Sequence, residues 1–119
     1  MSRPEHDRRL DYVEFPATDL DATQKFYEAV FGWTFTSYGP TYLAFNDGRL
    51  DGGFTTNGPA VGPVGVLVVL YAVDLEAVEA DIVANGGTIS TPTFSFPGGR
   101  RFHFMDPNGN ELAVWSDPV

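Results

Sequence analysis

The sequence predicts an α+β fold of tandem paired βαβββ modules. Their strands would form a curled, mainly antiparallel sheet around a cleft, with the helices outside. Three observations lead there. The chain repeats itself at a shift of 55 positions, each copy carries a capped helix after its first strand, and the chain ends in a hairpin whose turn sets its register.

In the repeat, "VEFPATDLDATQKFYEAVFG" (Val13–Gly32) lies on "VVLYAVDLEAVEADIVANGG" (Val68–Gly87). Identities fall at Val13/Val68, Ala17/Ala72, Asp19/Asp74, Leu20/Leu75, Ala22/Ala77, Ala29/Ala84 and Gly32/Gly87. They sit where the local physics wants them. Asp19 and Asp74 read as helix N-caps that accept from free first-turn amides. Leu20, Phe26, Tyr27 and Val30, and then Leu75, Val78 and Ile82, follow at helical spacing. Gly32 and Gly86–Gly87 supply left-handed stops.

Residues 1–9 read as a mobile polar lead-in, and residues 10–118 as one domain. The first module spans 10–57 and ends in three short strands: "WTFTSYG", "TYLAFNDG" and "RLDGGFTTN". A Gly/Pro linker at 58–63 follows. The second module spans 64–118. Its opening strand, "VGVLVVLYAVD", has no polar residue on either face and reads as central and buried. "SFPGGRR" (Ser95–Arg101) reads as a glycine-rich loop at the lip of the cleft, with Arg100 or Arg101 able to pair with an anion.

"DPNG" (Asp106–Gly109) is the pattern of a type I turn followed by a left-handed glycine and a bulge. It pairs Met105 with Glu111, Phe104 with Leu112 and His103 with Ala113. Asp106 becomes the first turn residue, its side chain bonding the backbone two residues on. Alternation puts Phe102, Phe104, Leu112 and Val114 against the helices. Arg101, His103, Met105, Glu111, Ala113 and Trp115 share the other face, toward the cleft. On the first strand, Val13 and Phe15 should face a helix, and Tyr12 and Glu14 the cleft.

Composition removes several functions. Net charge is −9 with seven basic residues, which argues against a nucleic-acid partner and an anionic membrane. There is no cysteine, so thiolate metal sites and disulfides are absent, in keeping with a cytoplasmic protein. The N-terminus has no apolar signal core, and the longest apolar run is too short to cross a bilayer.

"YVEFPATDLDATQKFYEAVFGW", "VDLEAVEADIVANGG" and "DPNGNELAVW" together resemble the vicinal oxygen chelate superfamily, from about Leu10 to Trp115. Its members include glyoxalase I, bleomycin-resistance proteins, fosfomycin-resistance enzymes and extradiol dioxygenases. The resemblance implies paired βαβββ modules, a homodimer, and a divalent metal held by both halves that chelates adjacent substrate oxygens. Carried over, the four ligand positions fall on Tyr12, on Gly52 or Gly53, on Val68, and on Ala113. Three of these offer no side-chain donor, and a phenol is mostly protonated near neutrality. The expectation is therefore a metal-independent, glyoxalase/bleomycin-resistance-like protein that binds a small organic molecule. No cofactor is expected, and a divalent metal is disfavoured.

The ligand-binding residues expected are Tyr12, Glu14, Val68, Arg101, His103, Met105, Ala113 and Trp115. The catalytic candidates are His103, Glu14 and Glu111. His103 is the only histidine beyond the lead-in. It reads either as a general base or as a half-buried strand histidine bonded to Glu14, Glu111 or Tyr12. Glu14 reads as a partly desolvated base or as the ion-pair partner of Arg101 or His103. Trp33, Tyr38, Tyr42 and Trp115 could stack on a flat ligand, but large aromatics are core by default. Two rival readings stay open. One is a metal-dependent lyase, isomerase or dioxygenase with an atypical site built on His103 and the two glutamates. The other is a non-catalytic interaction module.

Overall fold

A computed structural model describes residues 4–8, 12–57 and 67–119. The linker expected at 58–63 and part of the polar lead-in lie outside the described residues. The rest of the lead-in forms a 3-10 turn over Pro4–His6.

The first module runs β1 (Tyr12–Pro16), α1 (Leu20–Phe31), β2 (Thr34–Ser37), β3 (Tyr42–Asn46) and β4 (Asp51–Thr55). The second runs β5 (Val68–Tyr71), α2 (Leu75–Ala84), β6 (Thr88–Phe96), β7 (Gly99–Met105) and β8 (Glu111–Ser116). Two four-stranded sheets result, ordered β1-β4-β3-β2 and β5-β8-β7-β6. The orders are equivalent, as the repeat requires. In each sheet the helix crossover makes the first strand parallel to the last, and hairpins make the remaining pairs antiparallel.

Both N-caps form. Asp19 accepts from the Ala22 amide at 3.1 Å and Asp74 from the Ala77 amide at 3.0 Å. Gly32 takes the left-handed conformation (φ 70°) and its amide turns back to the Glu28 carbonyl, closing α1. Among the described residues, no helix is long and apolar enough to cross a membrane.

The core is aromatic and continuous. Trp33 stacks on Tyr27 and on Phe45, each at 4.5 Å between ring centroids, which anchors α1 to the first sheet. Phe26 meets Phe104 at 6.2 Å, so the same helix also covers the second sheet. Phe102, Phe104, Leu112 and Val114 are all buried, on the face that alternation assigned to the helices. Each such side chain contributes about 1.5–3 kcal/mol by leaving water.

The β7–β8 turn locks the modules together. Its Gly109 amide donates to the Asp106 carbonyl at 3.0 Å, and Gly109 has φ 87°, as the turn pattern predicted. The turn then docks on the first module. Asn108 Oδ1 accepts from the Thr18 amide at 2.9 Å, and Asn108 Nδ2 donates to the Thr23 hydroxyl at 2.8 Å. Asn110 Nδ2 donates to the Pro16 carbonyl at 2.9 Å, and Tyr27 donates to Asp106 at 3.0 Å. A hairpin of one module thus satisfies the first strand end and first helix turn of the other.

Two expectations need correction. β5 is an edge strand, not a central one, and Val69 and Tyr71 on its outer face are exposed. An all-apolar strand read as buried on both faces is here apolar because one face, with Val68 and Leu70, packs on the core and the other carries exposed apolar groups. "SFPGGRR" is a tight hairpin rather than an open loop: Ser95 pairs with Arg100 and Phe96 with Gly99.

Candidate functional site

Each sheet has a helix-side face and an outer face, and the outer faces carry the chemistry. On the first sheet the outer face presents Tyr12 and Glu14 from β1, Tyr42 and Asn46 from β3, and Asp51 and Gly53 from β4. Strand alternation places them there, and the register sets Tyr12 beside Asp51 and Glu14 beside Gly53. A cleft of about 340 Å³ opens over this face, lined in part by Tyr12, Thr36, Tyr38, Tyr42, Asn46 and Asp51.

Tyr42 organises the cleft. Its hydroxyl donates to Glu14 Oε2 at 2.9 Å and lies 2.5 Å from the Tyr12 hydroxyl. Burial, followed by the bonds to Tyr12 and Glu14, pushes the Tyr42 phenol well above its ordinary value. The phenol therefore keeps its proton at neutral pH. The ring can lie there because Gly53 has no side chain: a Cβ at Gly53 would fall 2.1 Å from the Tyr42 oxygen.

The neighbouring glycine does the same on the opposite face. A Cβ at Gly52 would fall 2.2 Å from the Phe45 ring and 2.3 Å from the Val13 carbonyl oxygen. "DGGF" thus makes room for one ring on each side of β4. Glu14 itself is exposed, not partly desolvated, and its partner is Tyr42 rather than Arg101 or His103. Among the described residues, the four strands of the first sheet carry no Lys, Arg or His to pair with it.

On the second sheet the outer face presents Arg101, His103 and Met105 from β7, and Glu111, Ala113 and Trp115 from β8. The register is the one the turn predicted: Met105 opposite Glu111 and His103 opposite Ala113. His103 Nδ1 lies 3.6 Å from Glu111 Oε2, an oxygen that accepts a hydrogen bond from Ser90 Oγ at 2.9 Å. His103 Nε2 is buried and has no hydrogen-bond partner among the described residues. The Arg101 guanidinium lies 5.3 Å from the Phe94 ring centre and 5.9 Å from that of Phe96. Trp115 meets the exposed Tyr71 edge-on at 5.0 Å. Arg100 points the other way and binds Glu76 at 2.7 Å, holding that carboxyl below its ordinary value.

Val68 does not belong to either outer face. It pairs with Leu112 and packs on the helix-side core, while Val69 and Tyr71 face outward. Counting six residues back from Asp74 changes the strand parity relative to the seven that lead from Asp19 to Tyr12. The 55-residue shift itself aligns Val68 with Val13, another core-side residue.

The structure therefore forms two groups, Tyr12–Tyr42–Glu14 and Arg101–His103–Glu111–Trp115, one on each sheet. No hydrogen bond, ion pair or ring contact among the described residues joins them. Sequence reasoning treated Tyr42 only as an aromatic, and Asp51 and Asn46 not at all. The signal available for Tyr42 was the double glycine, since two adjacent glycines inside a strand announce close approach on both faces.

The donor set does not fit the metal that the resemblance implies. Gly52, Gly53 and Ala113 have no donor, Val68 faces the core, and the Tyr12 hydroxyl is engaged by Tyr42. Among the described residues no three His, Asp or Glu side chains converge.

Residues 9–114 match the family model of the Glyoxalase/Bleomycin resistance protein/Dioxygenase superfamily. A provisionally assigned glyoxylase of Mycobacterium bovis, CFP32, is 26% identical over 125 aligned positions, covering 88% of this chain and 44% of that protein. The chain thus spans under half the length of that curated relative. A glyoxylase-like domain-containing protein of Didymella fabae is 29% identical, covering 92% of this chain and 94% of that protein. Among solved structures, a glyoxalase-related enzyme from Fulvimarina pelagi has a TM-score of 0.77 at 21% identity, covering 94% of this chain and 90% of that one. A mutant of the fosfomycin resistance protein FosX from Listeria monocytogenes, complexed with Mn(II) and a dihydroxypropylphosphonic acid, has a TM-score of 0.80 at 14% identity. It covers 94% of this chain and 92% of that one. At these identities the solved structures share the fold.

Proposed function

Because the chain belongs to the glyoxalase/bleomycin resistance protein/dioxygenase superfamily, we propose that it binds a small organic molecule on its outer sheet faces without the divalent metal of its enzymes. One observation carries this reading: the place that the family resemblance implies for a first-module metal ligand falls on Gly52 or Gly53, neither has a side-chain donor, and the Tyr42 ring lies across Gly53. A ring in that position serves a ligand as an apolar and hydrogen-bonding floor, and leaves no room for an added side chain. The cleft is of a size that suits a small ligand.

Elemental analysis together with a thermal-shift screen tests the proposal. The expected result is no stoichiometric zinc, nickel, manganese or iron, before or after metal loading, and stabilisation by at least one small organic compound with and without chelator. A tightly held metal that His103→Ala releases would overturn it.

The same reading makes the protein a homodimer. The first sheet's outer face carries Glu14 and Asp51. The second carries Arg101 and His103 among Val69, Tyr71, Phe94 and Trp115, and Val69, Tyr71 and Phe94 are exposed. A two-fold pair of chains can lay one face on the other twice, burying the apolar groups and matching charge. Light scattering should give twice the monomer mass, and Arg101→Glu should shift it toward monomer. A monomer at tens of micromolar, fully competent for ligand, would refute the arrangement.

A catalytic reading is favoured by one detail, the orientation of His103. Glu111 faces its Nδ1, while Nε2 is buried without a partner among the described residues. An unpartnered buried ring nitrogen calls for an explanation, and a role in proton transfer is one. If the compound screen yields a substrate, turnover lost in His103→Gln and reduced in Glu111→Gln would establish the role.

A further inference from the structure

We propose that Asn108 is a protected modification site: a labile Asn-Gly pair that the seam between the modules shields, and that water converts to aspartate or isoaspartate once the seam opens, after which the modules cannot close again in the same way. The claim holds whatever the clefts bind.

The chemistry needs only base and water. The Gly109 nitrogen loses its proton to base and attacks Asn108 Cγ. The Cγ–Nδ2 bond breaks, and ammonia leaves with a proton taken from solvent. Water then opens the cyclic imide at either carbonyl. One opening gives aspartate, and the other gives isoaspartate, in which the backbone runs through the side-chain carbon. Glycine favours the attack because it has no side chain to obstruct its nitrogen.

The turn is built on this labile pair. Gly109 sits at φ 87°, where glycine is favoured. Asn108 uses both ends of its amide. Oδ1 accepts from the Thr18 amide at 2.9 Å, and Nδ2 donates to the Thr23 hydroxyl at 2.8 Å and to Asp106 Oδ2 at 3.3 Å. Thr23 gives its own proton to the Asp19 carbonyl at 2.7 Å, so its oxygen is turned to accept from Nδ2. An ionised aspartate has no proton to supply there.

The same contacts block the reaction in the closed seam. Attack requires Cγ to turn onto the Gly109 nitrogen, which breaks these bonds, and the Gly109 amide is itself held by the Asp106 carbonyl at 3.0 Å. Asn108 is only 7% exposed. Asn85–Gly86, at the end of α2, is the contrast. Both residues are exposed, Asn85 Nδ2 donates to the Asp81 carbonyl, and the Gly86 amide reaches the Val83 carbonyl at 3.4 Å. Helix ends fray, so Asn85 can react without the modules parting. The glycine of a third pair, Asn57–Gly58, lies outside the described residues.

Conversion at Asn108 damages the seam. A carboxylate oxygen would stand where Nδ2 now lies, 3.3 Å from Asp106 Oδ2, which sets two buried like charges together. Isoaspartate would lengthen the backbone of a turn that sets the β7–β8 register. Chemical change in the open state thereby makes opening irreversible.

The test follows Asn85 and Asn108 in the same molecules of the full chain. Peptide mass mapping during incubation at mildly alkaline pH, with and without denaturant, reads both sites. In denaturant the two should convert at similar rates. Folding should slow Asn108 by roughly tenfold or more, and Asn85 by only a few-fold. Thr23→Val, which removes a hydroxyl partner of Asn108, should speed conversion of Asn108 in the folded protein and leave Asn85 as it was. An amide spectrum like the parent's would show that this variant folds. Chains converted at Asn108 in denaturant should not regain the native spectrum on dilution, whereas chains converted only at Asn85 should. Equal protection of the two sites by folding would overturn the shielding by the seam, and so would a folded Thr23→Val protein that converts no faster. No conversion of Asn108 in denaturant would overturn its lability. Converted Asn108 chains that refold to the parent's spectrum and melting temperature would overturn the irreversible loss.

Discussion

Asp106→Ala should destabilise the fold by about 3–5 kcal/mol, a large fraction of what a domain of this size has to lose. Asp106 is buried, and its carboxylate accepts five hydrogen bonds. Oδ1 takes the Asn108 and Asn110 amides at 2.9 Å each, and Oδ2 takes Tyr27 at 3.0 Å, Asn110 Nδ2 at 3.2 Å and Asn108 Nδ2 at 3.3 Å. Alanine would leave these donors buried and unpaired, and each such group costs about 1–3 kcal/mol. The damage would not stay in the turn. Asn108 and Asn110 hold Thr18, Thr23 and Pro16, so the seam between the modules would loosen with it.

Urea denaturation would measure the loss. Tyr27→Phe supplies the control, because it removes the hydroxyl that Asp106→Ala strands. Burial and Asp106 together push the Tyr27 phenol far above its ordinary value, so its proton stays with this bond at any working pH. The double variant should be less destabilised than the sum of the two single variants. Strict additivity, or a loss below about 1 kcal/mol for Asp106→Ala, would mean the turn is held by something else.

These residues also show what the sequence made legible. Turn chemistry is local, so "DPNG" yielded the turn, the bulge and the full β7–β8 register, with His103 opposite Ala113. Helix caps and the repeat are local too, and both modules formed with equivalent topology. What Asp106, Asn108 and Asn110 do across the modules was not legible. Their partners lie 79, 85 and 94 residues away, and nothing in a turn motif names a distant donor or acceptor. Faces were legible wherever alternation had a fixed origin. On β7 and β8 the turn supplied that origin. On β5 nothing did, and a one-residue difference in counting turned Val68 toward a cleft that it does not face. Glu14 was placed on the correct face with the wrong partner, because its neighbour on β4 is Gly53 and its true partner reaches over from β3.

The two glycines of β4 should respond oppositely to the same small change, and that contrast tests the site's construction. Gly52→Ala should cost about 3 kcal/mol, the upper end of what overpacking does. The new methyl would meet the Phe45 ring at 2.2 Å and the Val13 carbonyl at 2.3 Å, and the carbonyl belongs to a paired strand that cannot step aside. The nearest atoms that Gly53→Ala meets all belong to Tyr42: its oxygen, Cζ and Cε2. That is the far end of a side chain over an open cleft, and it can swing outward. Alanine also restricts the unfolded chain relative to glycine, by about 0.5–1 kcal/mol in its favour. The stability of Gly53→Ala should therefore stay within about 1 kcal/mol of the parent. Its cleft should not survive, since a displaced Tyr42 releases both Glu14 and Tyr12. Thermal or urea melts should then separate Gly52→Ala from the parent, and ligand titration should separate Gly53→Ala from it. A Gly53→Ala protein that melts normally and still binds its ligand would show that Tyr42 does not need its place over β4. With it would go the argument that the Tyr42 ring, lying across Gly53, defines what this cleft accepts.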